Sequence, residues 1–144
     1  MRTPRWARSP TVRAEAGARD RVTGWPSGGL DDVALIREGT NDPDKAPNSG
    51  SDPAAGQGMA LARLRTMIRD AKSRNIRPFV ATIPPMNPAG SRGQVFGWEL
   101  VSAFNDNIRT IVSLENVALV DVHQAFGANL ALLSADGVHP NPGG

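Results

Sequence analysis

Short apolar runs alternate with longer segments of helical periodicity along most of the chain, and this alternation constrains the fold more than any other feature. The apolar runs are bounded by polar or Pro-containing loops and predict strands buried on both faces at residues 33–36, 78–83 and 117–122. The helical segments place apolar side chains on one face at residues 59–74 and 96–113, and a short helix is expected over 124–133. A strand–helix–strand–helix–strand order predicts an α/β fold with a parallel sheet and right-handed crossovers.

The first 30 residues lack this pattern. They hold six arginines against Glu15 and Asp20, a net +4, whereas the remainder of the chain carries −2, so the net charge of +2 comes from this segment. We predict an irregular Arg-rich arm over residues 1–30, followed by one domain over 31–144. The arm lacks the apolar h-region of a signal peptide, and the chain lacks the basic recognition face of a nucleic-acid-binding domain.

Composition excludes further classes of protein. The 144 residues include no cysteine, so a disulfide scaffold, a thiolate zinc site and a Cys nucleophile are excluded. No apolar run approaches the roughly 18 residues that span a bilayer.

The strongest local signal is the sequence Asp136-Gly137-Val138-His139. An Asp three residues before a His can accept the Nδ1–H hydrogen bond of the imidazole, which leaves the other ring nitrogen to act as a general base. The competing interpretation is a surface turn, since Asp-Gly is a common turn dipeptide.

A second signal, Gly39-Thr40-Asn41-Asp42, follows the first predicted strand. An Asn side chain in this position can donate a hydrogen bond to a developing oxyanion. Asn and Asp also form turns routinely, so a structural role stays open.

Together these blocks resemble the SGNH hydrolases, also called the GDSL esterase and lipase family. Residues 33–42 are similar to the family block in which an apolar strand ends in G-x-N-D, and residues 136–141 are similar to its D-G-x-H-P-N block. The sequence Thr82-Ile83-Pro84-Pro85 resembles the strand end between them. The resemblance runs from about Asp31 to the last residue.

This resemblance implies a three-layer α/β/α fold with a flavodoxin-like parallel sheet, and a serine-type hydrolase of short acyl esters. It implies no metal and no cofactor. His139 would be the general base, Asp136 its orienting carboxylate, and Asn41 and Gly39 the oxyanion site. The expected substrate is a small-molecule, carbohydrate or lipid ester, and neither a nucleic-acid partner nor a membrane span is implied.

The family block that carries the nucleophilic serine is not found. Ser27 is the weak candidate, and other substitutes would be Ser9, Ser49, Ser51, Ser134 or a water activated by His139. The chain therefore reads as an incomplete domain that lacks elements at both ends, and we expect weak or no hydrolysis. Val33–Ile36 would then be an edge strand, and an exposed apolar edge is a candidate surface for self-association.

Two other functions remain open. A binding module would keep the cleft without a nucleophile. A metal-dependent hydrolase would use Asp121, His123, Asp136 and His139 as ligands.

Overall fold

The computed structural model describes residues 12–15, 32–37, 53–92 and 98–144. Within these ranges the chain forms four strands and three α-helices: β1 (Val12–Glu15), β2 (Val33–Arg37), α1 (Pro53–Ser73), β3 (Arg77–Ala81), α2 (Val101–Glu115), β4 (Ala118–Val120) and α3 (Val122–Phe126). Single-turn 3-10 helices lie at Trp98–Leu100 and Leu130–Leu132. None of the helices in the described ranges is both long and apolar enough to cross a membrane.

The strands form one sheet in the spatial order β1-β2-β3-β4, and every neighbouring pair is parallel. Helix α1 connects β2 to β3, and α2 connects β3 to β4. The predicted α/β class with a parallel sheet is therefore confirmed. This topology places the carboxyl ends of β2, β3 and β4 along one side of the sheet.

Strand β1 corrects two expectations. The sequence predicts an irregular segment over residues 1–30, but Val12–Glu15 pairs in parallel with β2, with Val12 opposite Ala34 and Glu15 opposite Arg37. The strand is only four residues long, with Val12 and Ala14 alternating with Arg13 and Glu15, and backbone pairing with β2 holds it in the sheet. Strand β2 is therefore an inner strand. It has no free edge on this side, so the reason for expecting self-association through β2 no longer applies. The other residues of the segment lie outside the described residues.

Burial of strand β2 is one-sided, which differs from the expectation of a strand buried on both faces. In β2, Ala34 and Ile36 are completely buried, whereas Leu35 is 39% exposed. Ala34 and Ile36 join Val80 in the core beneath the helices, and successive strand residues point to opposite faces. All three residues of β4 are exposed. In the described ranges, α1 and α2 thus supply one of the two helical layers of the predicted fold.

Helices α1 and α2 build the core with their apolar faces, as their periodicity predicts. The fully or almost fully buried positions are Ala60, Leu64, Ile68 and Ala71 of α1 and Phe104 and Ile108 of α2. Burying a large apolar side chain contributes roughly 1.5–3 kcal/mol. This packing fixes the two helices on the sheet.

An ion-pair cluster joins α1 to the end of α2. Arg65 Nε lies 2.5 Å and an Arg69 guanidinium nitrogen 2.7 Å from Glu115 Oε1, and Lys72 donates to the Glu115 carbonyl. Hydrogen bonds from Arg69 and Arg65 lower the pKa of Glu115 to about 2. Two arginines of α1 thus bind the end of the neighbouring helix while their side chains stay 43% and 60% exposed.

Asp121, directly after β4, connects the ends of β3 and β4 to α2. Its carboxylate accepts two hydrogen bonds from Arg109, from Nε at 2.9 Å and from an outer nitrogen at 3.1 Å. Thr82 Oγ1 donates to Asp121 at 3.0 Å and accepts from the His123 amide at 2.9 Å. The Gln124 amide also donates to Asp121, which thereby caps α3. The Arg109 bond is the main reason that the pKa of Asp121 falls to about 2.

We predict that Asp121→Asn lowers the free energy of unfolding by about 1–3 kcal/mol near neutral pH, because a part-buried charge-assisted bond is lost. A carboxylate whose pKa is lower in the folded than in the unfolded chain stabilises the fold at pH values above its ordinary pKa of about 4. This stabilisation is lost as the pH falls through about 2. Urea unfolding at several pH values should therefore show the difference between wild type and variant narrowing in acid.

Asp106→Asn is the matched control, since exposed Asp106 also pairs with Arg109. It should change stability by less than about 0.5 kcal/mol. Equal losses in the two variants would contradict the role given to Asp121.

Candidate active site

A tight turn near the end of the chain brings Asp136 and His139 together. The two ends of the turn are joined by the Ser134 amide, which donates to the His139 carbonyl at 2.7 Å, and by an antiparallel β-bridge between Leu133 and Pro140. Gly137 has φ +78°, a conformation that glycine adopts without steric strain. The Asp-Gly dipeptide thus forms the turn that the sequence predicts, and the turn presents the two polar side chains.

The Asp136 carboxylate is held at both oxygens. Oδ1 accepts hydrogen bonds from Ser134 Oγ at 2.7 Å, from the Val138 amide at 2.9 Å and from the His139 amide at 3.0 Å. Oδ2 lies 2.5 Å from His139 Nδ1. These bonds, with the His139 side chain first, hold the pKa of Asp136 well below its ordinary value. Asp136 is therefore an anionic acceptor fixed in one orientation.

His139 is open to solvent, with 56% of its side chain exposed, whereas the Asp136 side chain is 24% exposed. Because Nδ1 faces the carboxylate, the imidazole is oriented to carry its proton there and to leave Nε2 as the acceptor. An oriented, accessible imidazole of this kind can remove a proton from a hydroxyl and return it to a leaving group.

The segment after β3 braces the turn from one side. We call residues 82–92 the bracing loop. The Asn87 amide donates to the Gly137 carbonyl at 2.8 Å, and the Arg92 amide donates to the Asp136 carbonyl at 2.9 Å. Gly90 and Gly137 touch so closely that a Cβ on Gly137 would lie 2.9 Å from the Gly90 Cα. The two segments therefore pack backbone against backbone.

Asn141 holds the other side of the turn. Its side-chain amide donates to the carbonyls of Ala131 and Leu133, at 2.7 and 3.1 Å, and its backbone amide donates to the Leu132 carbonyl at 2.9 Å. These bonds fix the chain as it leaves His139. The Asn of the D-G-x-H-P-N block is thus a structural residue in this protein.

The structure brings together some of the predicted residues and does not describe others. His139 and Asp136 lie in contact, with Nδ1 2.5 Å from Oδ2, and their catalytic roles stay predictions. Gly39 and Asn41, predicted for the oxyanion site, lie outside the described residues, as does Ser27. Their roles stay predictions.

Ser134 has a role that the sequence analysis missed. We considered its hydroxyl as a substitute nucleophile, but it donates to Asp136 Oδ1 rather than to His139. A serine two residues before an Asp is a spacing at which local side-chain bonds form, and that spacing was the available signal. The bracing loop gave no such signal, because its bonds to the turn are made by backbone groups.

The arrangement does not assemble the four ligands of the metal-dependent alternative. Both carboxylate oxygens of Asp121 are bonded to Arg109, and Oδ1 also accepts from Thr82. Among the described residues, which include His123, there is no group of three or more His, Cys, Asp or Glu side chains that could hold a metal ion.

Comparison with known proteins places this site in a family. A model of the GDSL-like lipase/acylhydrolase family matches residues 2–144. The chain belongs to this family. The match includes most of the residues that we predicted as an arm, and so extends further than the blocks recognised in the sequence.

The relatives of this GDSL-family chain include esterases. It is 32% identical over 116 residues to a multidomain esterase of Ruminococcus flavefaciens, an alignment that covers 78% of this chain and 14% of that protein. Its fold is similar to that of a protein described as a GDSL-like lipase from Parabacteroides merdae, with a TM-score of 0.68, 21% identity, and 87% of this chain covered. It is also similar to that of an acetylxylan esterase from Geobacillus stearothermophilus, with a TM-score of 0.64, 18% identity, and 86% of this chain covered.

This chain spans only part of the relatives it matches. The aligned part makes up 60% of the Parabacteroides structure and 58% of the Geobacillus structure. The activity of a whole relative therefore comes to this GDSL-family chain only as a proposal.

We predict that Gly137→Ala destabilises the protein by at least about 1–3 kcal/mol in urea unfolding. The new Cβ would lie 2.5 Å from the Asn87 carbonyl oxygen, and φ is positive at this position. Gly58→Ala is the matched control, because Gly58 is an exposed residue of helix α1 and a Cβ added there would meet nothing within 4 Å. It should stabilise the protein by up to about 1 kcal/mol. Equal effects of the two substitutions would contradict the close packing of the turn.

Proposed function

We propose that this GDSL-family chain belongs to a serine-type ester hydrolase in which His139 is the general base and acid and Asp136 orients it. The observation that carries the proposal is the Asp136 carboxylate, which contacts His139 Nδ1 at 2.5 Å while three donors hold its other oxygen. A carboxylate fixed in this way selects one imidazole tautomer.

The proposed reaction transfers an acyl group twice. His139 Nε2 takes the proton of a serine hydroxyl as the serine oxygen bonds to the ester carbonyl carbon. The resulting tetrahedral intermediate collapses, the carbon–oxygen bond to the alcohol breaks, and His139 gives the proton to the departing alcohol. A water then attacks the acyl-serine with His139 again as base, which releases the carboxylic acid and restores the serine. The electrostatic role of Asp136 is to stabilise the imidazolium formed in each half.

The rest of the machinery is proposed from the family blocks. Asn41 would donate from its side chain and Gly39 from its backbone to the oxyanion of the intermediate, and Ser27 stays the candidate nucleophile. This scheme uses no metal and no cofactor.

The proposed substrates are short acyl esters, including acyl groups carried on carbohydrate. Support comes from the exposed position of His139, which a bulky polar substrate can approach from solvent. Two relatives are described as a multidomain esterase and an acetylxylan esterase.

The first test is the hydrolysis of p-nitrophenyl acetate, for which we expect weak activity. His139→Ala should remove it, and Asp136→Asn should lower kcat by about 10⁴, the order seen when a triad carboxylate is neutralised. His123→Ala is the control, since His123 lies at α3 and is not bonded to Asp136. Full activity in His139→Ala would exclude His139 as the base.

Labelling with an alkyl phosphonate, followed by peptide mapping, tests the nucleophile separately. A label on a serine that disappears in His139→Ala supports the proposal. Absence of a label together with binding of an uncleaved ester analogue would favour the binding module instead.

A further inference from the structure

Asn105 interrupts the apolar face of helix α2. Its neighbours on that face, Val101, Phe104 and Ile108, belong to the core, and Asn105 itself is 0% exposed. A buried amide side chain is strongly unfavourable unless its donor and acceptor are both bonded. The position of Asn105 therefore depends on what its amide binds.

The amide of Asn105 binds both backbone groups of one residue. Its Oδ1 accepts from the Ile83 amide at 2.9 Å, and its Nδ2 donates to the Ile83 carbonyl at 3.0 Å. Ile83 lies two residues beyond the end of β3. The side chain thus pairs with the continuing backbone as a neighbouring strand would, at a point where β3 has already ended.

Ile83 is the start of a stiff connection to the candidate active site. Residues 82–86 are all buried, and two successive prolines, Pro84 and Pro85, restrict the backbone between Ile83 and Met86. The next residue, Asn87, donates to the Gly137 carbonyl at 2.8 Å. Further along the bracing loop, Arg92 donates to the Asp136 carbonyl at 2.9 Å.

We propose that Asn105 is a positioning residue, which fixes the bracing loop at Ile83 and through it the turn that carries Asp136 and His139. The effect of Asn105 on catalysis rests on the proposed function. The contacts themselves do not depend on that function, because Asn105 binds Ile83 and the bracing loop binds the turn in the protein without substrate.

Amide hydrogen exchange tests the proposal without requiring hydrolysis. In Asn105→Ala the amides of Asn87 and Arg92 should exchange about tenfold faster, relative to the amides of Ile108 and Val112 in α2. The α2 amides report a general loss of stability. The ratio of the loop exchange rates to the α2 exchange rates therefore reports the change that is confined to the bracing loop. Asn107→Ala is the matched control, because exposed Asn107 on the same helix donates its side-chain amide to the Ala103 carbonyl, at 3.0 Å, and to no other group among the described residues.

If Asn105→Ala does not fold, Asn105→Leu gives a second variant, because a leucine of similar size leaves no large cavity. It removes both hydrogen bonds to Ile83 without placing a charge in the core, so the same relative acceleration should appear. An equal acceleration of loop and helix amides, or none, would overturn the proposal in either variant.

Hydrolysis provides the second readout and separates this inference from the proposed function. If wild type hydrolyses p-nitrophenyl acetate, Asn105→Ala should lower kcat with little change in KM, because the substrate-binding groups stay while the base is less well held. A wild type that neither hydrolyses the ester nor is labelled by the phosphonate would contradict the proposed function, while the exchange result still decides the role of Asn105.

Discussion

The candidate site depends on one group, the carboxylate of Asp136. Three donors hold Oδ1, and this leaves Oδ2 to face His139 Nδ1 at 2.5 Å. Two of these donors are backbone amides of the same turn, so the carboxylate and the imidazole are positioned by a single short segment. An anion that accepts several hydrogen bonds resists protonation, which explains the depressed pKa of Asp136. The imidazole can remain exposed because its partner is fixed by the backbone rather than by burial.

The turn is supported by the rest of the fold, through the segment that packs against it. The bracing loop follows β3 and contacts the turn through backbone hydrogen bonds and the Gly90–Gly137 approach. That loop is itself held where it leaves the sheet, by Asn105 at Ile83 and by the bond between Thr82 and Asp121. Both anchors come from the region where parallel strands end, which is where α/β proteins bind their ligands. The polar groups buried at this edge therefore connect the packing of α2 to the geometry of His139.

Hydrophobic periodicity was enough to predict α1, α2, β2, β3 and the parallel sheet, because core-facing residues such as Leu64 and Ile108 recur at helical spacing. The short helix expected over 124–133 is instead Val122–Phe126, and a separate 3-10 turn follows at Leu130–Leu132. Motif spacing likewise predicted the Asp136–His139 pair, because both residues lie within one turn. Strand β1 was missed because its alternation of Val12 and Ala14 with Arg13 and Glu15 covers only four residues, which is too short to stand out in an Arg-rich segment. One-sided burial of β2 was missed because an apolar run alone does not reveal which faces helices cover. Ser134 and Asn105 act through specific hydrogen bonds, to Asp136 and to Ile83. Composition and periodicity do not predict such bonds.

The tautomer of neutral His139 is the most direct measure of the proposed arrangement. Nitrogen-15 NMR of the labelled protein distinguishes a proton on Nδ1 from one on Nε2 at a pH where the imidazole is neutral. We expect the Nδ1–H tautomer in wild type and a shift toward Nε2–H in Asp136→Asn. A predominant Nε2–H tautomer in wild type, unchanged by Asp136→Asn, would contradict the role of Asp136 and with it the proposed base.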